Sequence, residues 1–274
     1  LMRLSALGDV CLLVPLVRTL QKALPRARLT WVISRSMHAL VEGLEGVEFI
    51  ILDKSRPLRH WLEFYFRMRA RRFDVLLATQ ASWRAHLLYP AIRAPRKIGF
   101  DRQRGRDCHA WFVNQHIPPG RQHLLDSFLS FAAELGVTER VIEWRLPLGQ
   151  AALGFAAEQL GSNSSGWLAV NPWASKPDRN WLPERYAAAI NHAFEQWGWR
   201  TVLTGGPHPA ERAFDESVLA HVRRPDMVLN LVGRTTPKQL AAVLGRVNVL
   251  LAPDTGPAHR SEEHTSELQS RSDL

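Results

Sequence analysis

Four polar stretches follow apolar runs in this chain, and each carries groups suited to holding an anion or moving a proton. Asp254-Thr255-Gly256-Pro257-Ala258-His259 follows the run Val247–Ala252. A carboxylate, a hydroxyl and unhindered backbone amides at a helix start form a ready anion site; a turn without a ligand is the other reading. Asn171–Trp181 leaves a second apolar run and contains Ser175, Lys176 and Arg179. One hydroxyl and two cations suit a pyrophosphate, although a capped, solvated loop uses the same residue types. Thr204-Gly205-Gly206-Pro207 lets a ligand approach the backbone, and Glu211 beyond it either accepts ribose hydroxyls or lies on a helix surface. At the front, Ser5-Ala6-Leu7-Gly8-Asp9 joins a strand to a helix, with Gly8 permitting a tight turn. Asp9 there either caps free amides of the helix or acts as a general base at the mouth of a sheet.

The elements that must position these groups alternate. In the first half, strands are expected at 1–4, 29–33, 49–52, 75–78 and 97–99. Helices are expected at 12–24, with Pro15 near the first turn, and at 37–44, 61–72, 84–92 and 124–135. A linker from Gly149 to Gly166, holding a short helix at 151–160, leads to a second alternation. Its strands are expected at 167–171, 200–204, 228–231 and 247–252, and its helices at 183–198, 209–222 and 237–244. Strand–helix alternation implies parallel sheets with right-handed crossovers, hence an α/β fold of two doubly wound halves around a cleft. Open sheets of this kind bind ligands beyond the carboxyl ends of their strands, where the polar stretches fall.

The chain has 274 residues, 46% hydrophobic and 22% charged, which suits a globular protein with two cores. Two cysteines, Cys11 and Cys108, point to no disulfide framework. Residues 1–150 hold 23 basic against 13 acidic side chains, and between Lys54 and Arg106 the ratio is 14 to 3. Such a basic half attracts anionic partners, whether nucleic acid, anionic lipid or a phosphorylated sugar. There is no Walker loop, no Gly-x-Gly-x-x-Gly, no His-Glu-x-x-His and no Gly-x-Ser-x-Gly elbow. His116 and His123 read as surface or hydrogen-bonding residues rather than metal ligands, and Trp181 as a core plug. Arg260–Ser270, read back through the codon table, matches a sequencing-library adapter, so residues 260–274 are expected to be a non-native tail.

The order of four motifs resembles glycosyltransferase family 9, the bacterial lipopolysaccharide heptosyltransferases. They are Arg3–Asp9, Lys97-Ile98-Gly99-Phe100-Asp101, Thr204–Pro207 and Asp254–His259. The resemblance implies a glycosyltransferase type B fold, with two Rossmann-like doubly wound domains. The first, 1–150, would bind acceptor; the second, 151–259, would bind nucleotide-sugar and is expected to be incomplete. It implies inverting transfer from ADP-L-glycero-β-D-manno-heptose to the Kdo-bearing inner core, with another nucleotide-sugar as the alternative donor and no metal or other cofactor. Asp9 falls on the family's catalytic base. Ser175, Lys176, Arg179, Glu211, Asp254, Thr255, Gly256, Pro257 and His259 would bind donor. Ser5, Arg56, Arg59, Arg106 and His123 would bind a phosphorylated lipid A/Kdo acceptor. The implied place is cytoplasmic, on the anionic inner face of the inner membrane. A basic nucleic-acid-binding protein is the competing class, without an aromatic platform or zinc spacing to support it.

Overall fold

The computed structural model describes residues 1–52, 57–120, 122–161, 166–174 and 179–253, the side chains of 57–60 excepted. Two compact units divide the chain, Leu1–Pro147 and Leu148–Leu274. In the first, β1 (Leu29–Ser34) pairs in parallel with β2 (Val47–Leu52), in register from Leu29 opposite Val47 to Ser34 opposite Leu52. β3 (Val75–Ala78), β4 (Arg96–Gly99) and β5 (Gln115–His116) form a second parallel set in that order. Residues 1–4 join the two sets. Met2 N–H donates to the Leu77 carbonyl at 3.0 Å and Arg3 N–H to the Val32 carbonyl at 3.0 Å, so this short segment lies between β1 and β3. Counted with it, the strands follow the 3-2-1-4-5-6 order of dinucleotide-binding sheets, and the switch point lies between the segment and β3.

The sheet is covered by α1 (Leu7–Ala23), α2 (Arg35–Val41), α3 (Pro57–Arg69), α4 (Trp83–His86) and α5 (Leu124–Ala133), with α1 packed on α5. Trp31, Tyr89, Phe128 and Phe131 are fully buried. Each such side chain adds roughly 2–3 kcal/mol of hydrophobic stabilisation, the driving force for closing the layers. Gly43 and Gly46, at φ +87° and +71°, turn the chain from α2 into β2 in a region other residues avoid.

In the second unit the parallel order is β8 (Val228–Asn230), β7 (Arg200–Leu203), β6 (Trp167–Val170), β9 (Val249–Leu251). This is the same 3-2-1-4 pattern, with its switch point between β6 and β9. The helices are α6 (Gly149–Leu160), α7 (Pro183–Trp197), α8 (Pro209–Leu219) and α9 (Pro237–Leu244). α9 starts on a reciprocal cap. Gln239 N–H donates to Thr236 Oγ1 at 3.2 Å, Thr236 N–H donates to Gln239 Oε1 at 2.9 Å, and Pro237 occupies the first turn.

Several sequence expectations need correction. α1 begins at Leu7, so Pro15 lies well inside it and leaves the Cys11 carbonyl without its helical N–H. The helix expected over 84–92 breaks into α4 and a 3₁₀ turn at Tyr89–Ala91, because Pro90 cannot continue an α-helical ladder. The helix assigned to a linker is α6, which packs on α9 through Ala152, Ala156 and Leu160 and belongs to the second core. Trp181 is 42% exposed with its ring 5.7 Å from Tyr186, so it plugs no core.

Candidate active site

Asp9 stands in the first turn of α1, immediately beyond the segment that marks the first switch point. Its Oδ2 accepts from the Arg3 guanidinium and from Ala6 N–H at 2.9 Å. The Ala6 bond is half of a capping box, since Ala6 has no side-chain oxygen to answer it. Capping and catalysis, alternatives in the sequence, therefore use different atoms. Oδ2 orients the carboxylate, while Oδ1 has no partner among the described residues and the side chain keeps 20% of its surface exposed. A carboxylate fixed by one oxygen and open at the other is what a general base requires.

Arg3 is itself held in place. Its guanidinium donates to the Thr79 carbonyl at the end of β3 and lies 5.6 Å from the Phe128 ring centroid on α5. Gln80 fastens the same corner: its Oε1 accepts from Leu4 N–H at 2.7 Å, and its carbonyl accepts from the buried Tyr89 hydroxyl at 2.6 Å. Burial, only partly offset by that bond, raises the Tyr89 hydroxyl above its ordinary pKa, so it stays a donor. Sequence reasoning missed Arg3 and Gln80 as supports. The available signal was a cation at the end of an apolar strand, too common to single out.

The second half of this corner comes from the loop after β4. Asp101 is buried and accepts from Gln103 N–H at 2.8 Å and from the Arg104 guanidinium. Burial pushes its carboxyl up, but the Arg104 side chain and the Gln103 and Arg104 amides together outweigh it and hold the pKa below the ordinary value. Arg104 then donates to Ser127 Oγ and to the Pro118 carbonyl, both at 2.6 Å, tying the loop to α5. Ser127 N–H donates to the His123 carbonyl at 3.0 Å, and His123 caps α5 by accepting Leu125 N–H at 3.3 Å. Exposed Arg106 is in the same loop, two positions beyond Arg104. Ser5, Arg106 and His123, in the loops, and Asp9, in the first turn of α1, thus belong to segments fastened to one frame. Arg56 lies outside the described residues, and Arg59 is described only as backbone in α3.

A buried histidine pair supports the end of β4. Phe100 N–H donates to His109 Nε2 at 3.2 Å, and His109 Nδ1 lies 2.9 Å from His86 Nε2. Nε2 of His109 is therefore an acceptor, which assigns the proton to Nδ1 and makes His86 Nε2 the next acceptor. Burial first, then the neighbouring His86 and His116, lowers His109 to about 4, so the ring is neutral near pH 7.

In the second unit, Asn171 joins the tips of three strands. Its N–H donates to the Leu251 carbonyl at 2.9 Å, and its side-chain amide donates to the Thr204 carbonyl at 2.8 Å. Glu211 folds back so that its carboxylate accepts from Gly206 N–H, which occupies one oxygen of the expected ribose contact. Arg179 is exposed. Ser175, Lys176, Asp254, Thr255, Gly256, Pro257 and His259 lie outside the described residues. The strands that precede them, β6 and β9, are hydrogen-bonded neighbours at the second switch point. Asp215 on α8 is fully buried with neither oxygen paired among the described residues; burial first, then Glu211 and Glu216, raises it to about 7. Among the described residues no cluster of three His, Cys, Asp or Glu is placed to hold a metal ion. A cavity of about 790 Å³ lies at the amino ends of β1, β2 and β3, away from the loops that carry the motifs.

The model of glycosyltransferase family 9 (heptosyltransferase) matches residues 61–261. This chain belongs to glycosyltransferase family 9. It is a glycosyltransferase, and its likeness to a curated relative runs through both units. Lipopolysaccharide core heptosyltransferase OpsX of Haemophilus influenzae is 33% identical over 260 residues, covering 94% of this chain and 74% of that protein. Among solved structures, the glycosyl transferase family 9 protein of Veillonella parvula superposes with a TM-score of 0.80 at 23% identity, covering 96% of this chain and 77% of that one. E. coli heptosyltransferase WaaC with ADP-2-deoxy-2-fluoro heptose gives 0.71 at 19% identity, over 96% and 84%. The fold of this family 9 transferase is glycosyltransferase type B, and the corner around Asp9 lies in the first of its two Rossmann-like units.

Proposed function

We propose that this transferase moves heptose from ADP-L-glycero-β-D-manno-heptose to the Kdo-bearing inner core of lipopolysaccharide, with inversion at the anomeric carbon. The observation that carries the reading is the Asp9 carboxylate, fixed through Oδ2 and open at Oδ1, beyond the first switch point. Oδ1 takes the proton of the acceptor hydroxyl as that oxygen bonds to the anomeric carbon. The bond from that carbon to the diphosphate oxygen breaks on the opposite side, and ADP departs with the electron pair. Lys176 and Arg179 neutralise the growing diphosphate charge, assisted by Ser175 and by amides near Thr255 and Gly256. These cations take the place a metal would fill, so the reaction is proposed to run without one. Glu211, Asp254, Pro257 and His259 complete the donor contacts.

Ser5, Arg56, Arg59, Arg106 and His123 are proposed to hold the phosphorylated lipid A/Kdo acceptor. The excess of cations between Lys54 and Arg106 supports an acceptor of high negative charge. The proposed working place is the cytoplasmic face of the inner membrane. No described helix is long and apolar enough to cross a membrane. The test is a transfer assay with Kdo-bearing lipid A and a panel of nucleotide-sugars, read by mass spectrometry of the lipid. A mass gain of one heptose from the ADP-heptose donor is expected. A gain only with a different sugar would replace the donor, and strand-selective DNA or RNA binding without any transfer would overturn the reading.

A further inference from the structure

The first unit exposes a surface that neither its core nor its catalytic corner uses. α3 carries two apolar stripes. Phe64 and Met68 are buried and Trp61 packs beside them, while Leu62, Tyr65 and Phe66 are 54%, 40% and 69% exposed. At about 100° per residue, Leu62 and Phe66 project on the side of the helix opposite Phe64 and Met68. An ordinary covering helix carries charge there. The short α4 repeats the pattern: Ala85 and Leu88 enter the same core as Phe64 and Met68, while Trp83 and Leu87 are each 54% exposed. α3 touches the 3₁₀ turn that follows α4. Trp111, 81% exposed, immediately precedes Phe112, where a ring chain from Trp83 through His86 ends.

Arginines are interleaved with this apolar layer. Arg67, Arg69, Arg84 and Arg93 are all exposed, and none forms an ion pair with a described residue. We propose that the outer face of α3 and α4 is a docking surface for an anionic lipid bilayer, with Leu62, Phe66, Trp83 and Leu87 entering the acyl boundary and the arginines gripping lipid phosphates. Three features select a bilayer over a protein partner. Single apolar side chains rise from separate elements instead of forming one dry patch. Aromatic rings and leucines predominate, the types that settle at a membrane interface. The charge interleaved with them is mainly positive, with Glu63 the one acid of α3, and it complements phosphodiester headgroups, while the long arginine stems reach polar water from an apolar layer. This deepens the reading above, whose acceptor is a lipid, but its test needs no acceptor and no turnover.

The experiment is co-sedimentation of the full-length protein with vesicles of phosphatidylglycerol and phosphatidylethanolamine, against pure phosphatidylcholine vesicles, at fixed salt. Binding to the anionic vesicles is expected to be at least about tenfold tighter. Leu62→Ser with Phe66→Ser should weaken it by about tenfold, and Arg67→Gln with Arg69→Gln by a similar factor. Phe66→Trp should restore binding in the apolar background. Trp197→Ser, at a tryptophan 55% exposed in the second unit, should leave it unchanged. All these positions are exposed, so melting transitions should match the parent; Trp83→Ser with Leu87→Ser repeats the apolar test on a separate helix. Equal binding to both vesicle types overturns the proposal. So does full retention of binding in both apolar variants, or capture of single-stranded RNA by a protein that ignores the vesicles. Transfer without vesicle binding would overturn this surface and leave the enzyme reading standing; vesicle binding without transfer would do the reverse.

Discussion

The two units share a strand order but treat a helix-borne aspartate in opposite ways. Asp9, in the first turn of α1, has a guanidinium and a backbone amide on one oxygen and an open second oxygen. Asp215, one turn deeper into α8, has no partner on either oxygen among the described residues and is fully buried. A carboxylate becomes useful for chemistry when partners orient it without covering it. Buried without partners, it stays protonated and costs stability. The first unit thus places a cation and a backbone hydrogen bond around the carboxylate proposed to react, and the second carries within its core an acid that no described residue pairs.

The largest effect expected from a change outside Asp9 itself breaks the contrast at its anchor. Arg3→Met should lower kcat by about 100-fold while donor KM changes little, because Oδ2 loses its anchor and the carboxylate swings. Arg3→Lys should recover part of that loss. Steady-state kinetics with separate kcat and KM values checks it. An unchanged kcat would mean that Ala6 N–H alone orients Asp9.

A pH experiment sharpens the comparison. Asp215 has a folded pKa of about 7, above its unfolded value, so its stability is complete at low pH and is lost as pH rises from about 4 to 7. His109 has a folded pKa of about 4, below its unfolded value, so it is neutral in both states at high pH and costs stability as pH falls from about 6.5 to 4. Between pH 7 and pH 5 the second unit should gain about 2 kcal/mol and the first should lose about 2 kcal/mol. Hydrogen exchange resolved by residue measures both at once. Asp215→Asn should flatten the trend in the second unit, and His109→Asn that in the first. Trends of the same sign in both units would contradict this account.

The smallest effect concerns the second unit alone. Thr236→Ala removes the reciprocal cap of α9 and should cost about 1 kcal/mol, read from the denaturant midpoint. Because α9 packs on α6, exchange should rise in both helices and not in α7 or α8.

Much of this fold was legible from alternating apolar periods, since parallel strands buried on both faces leave short Val, Ile and Leu runs. β3 and α9 matched their expected bounds to the residue. The misses share a cause: local patterns do not contain the partner. β5 has only two residues, and it is a strand because β4 lies beside it. α6 read as linker because its small alanines have no amphipathic contrast until α9 closes on them. Asp9 was visible as a candidate because motif order marked it. Arg3, Gln80 and the Asp101–Arg104 pair were not, because each acts across long sequence separations that a local reading does not see.

The central claim is that Asp9 accepts the proton of the attacking hydroxyl while playing no part in holding the nucleotide. Asp9→Asn keeps the shape and the acceptor oxygen for Ala6 N–H but removes the base. In the full-length enzyme, kcat for transfer should fall by about 1,000-fold or more, while the calorimetric affinity for ADP stays at the parent value. Turnover within about threefold of the parent, with ADP affinity intact, would contradict the assignment and turn Asp9 back into a helix cap.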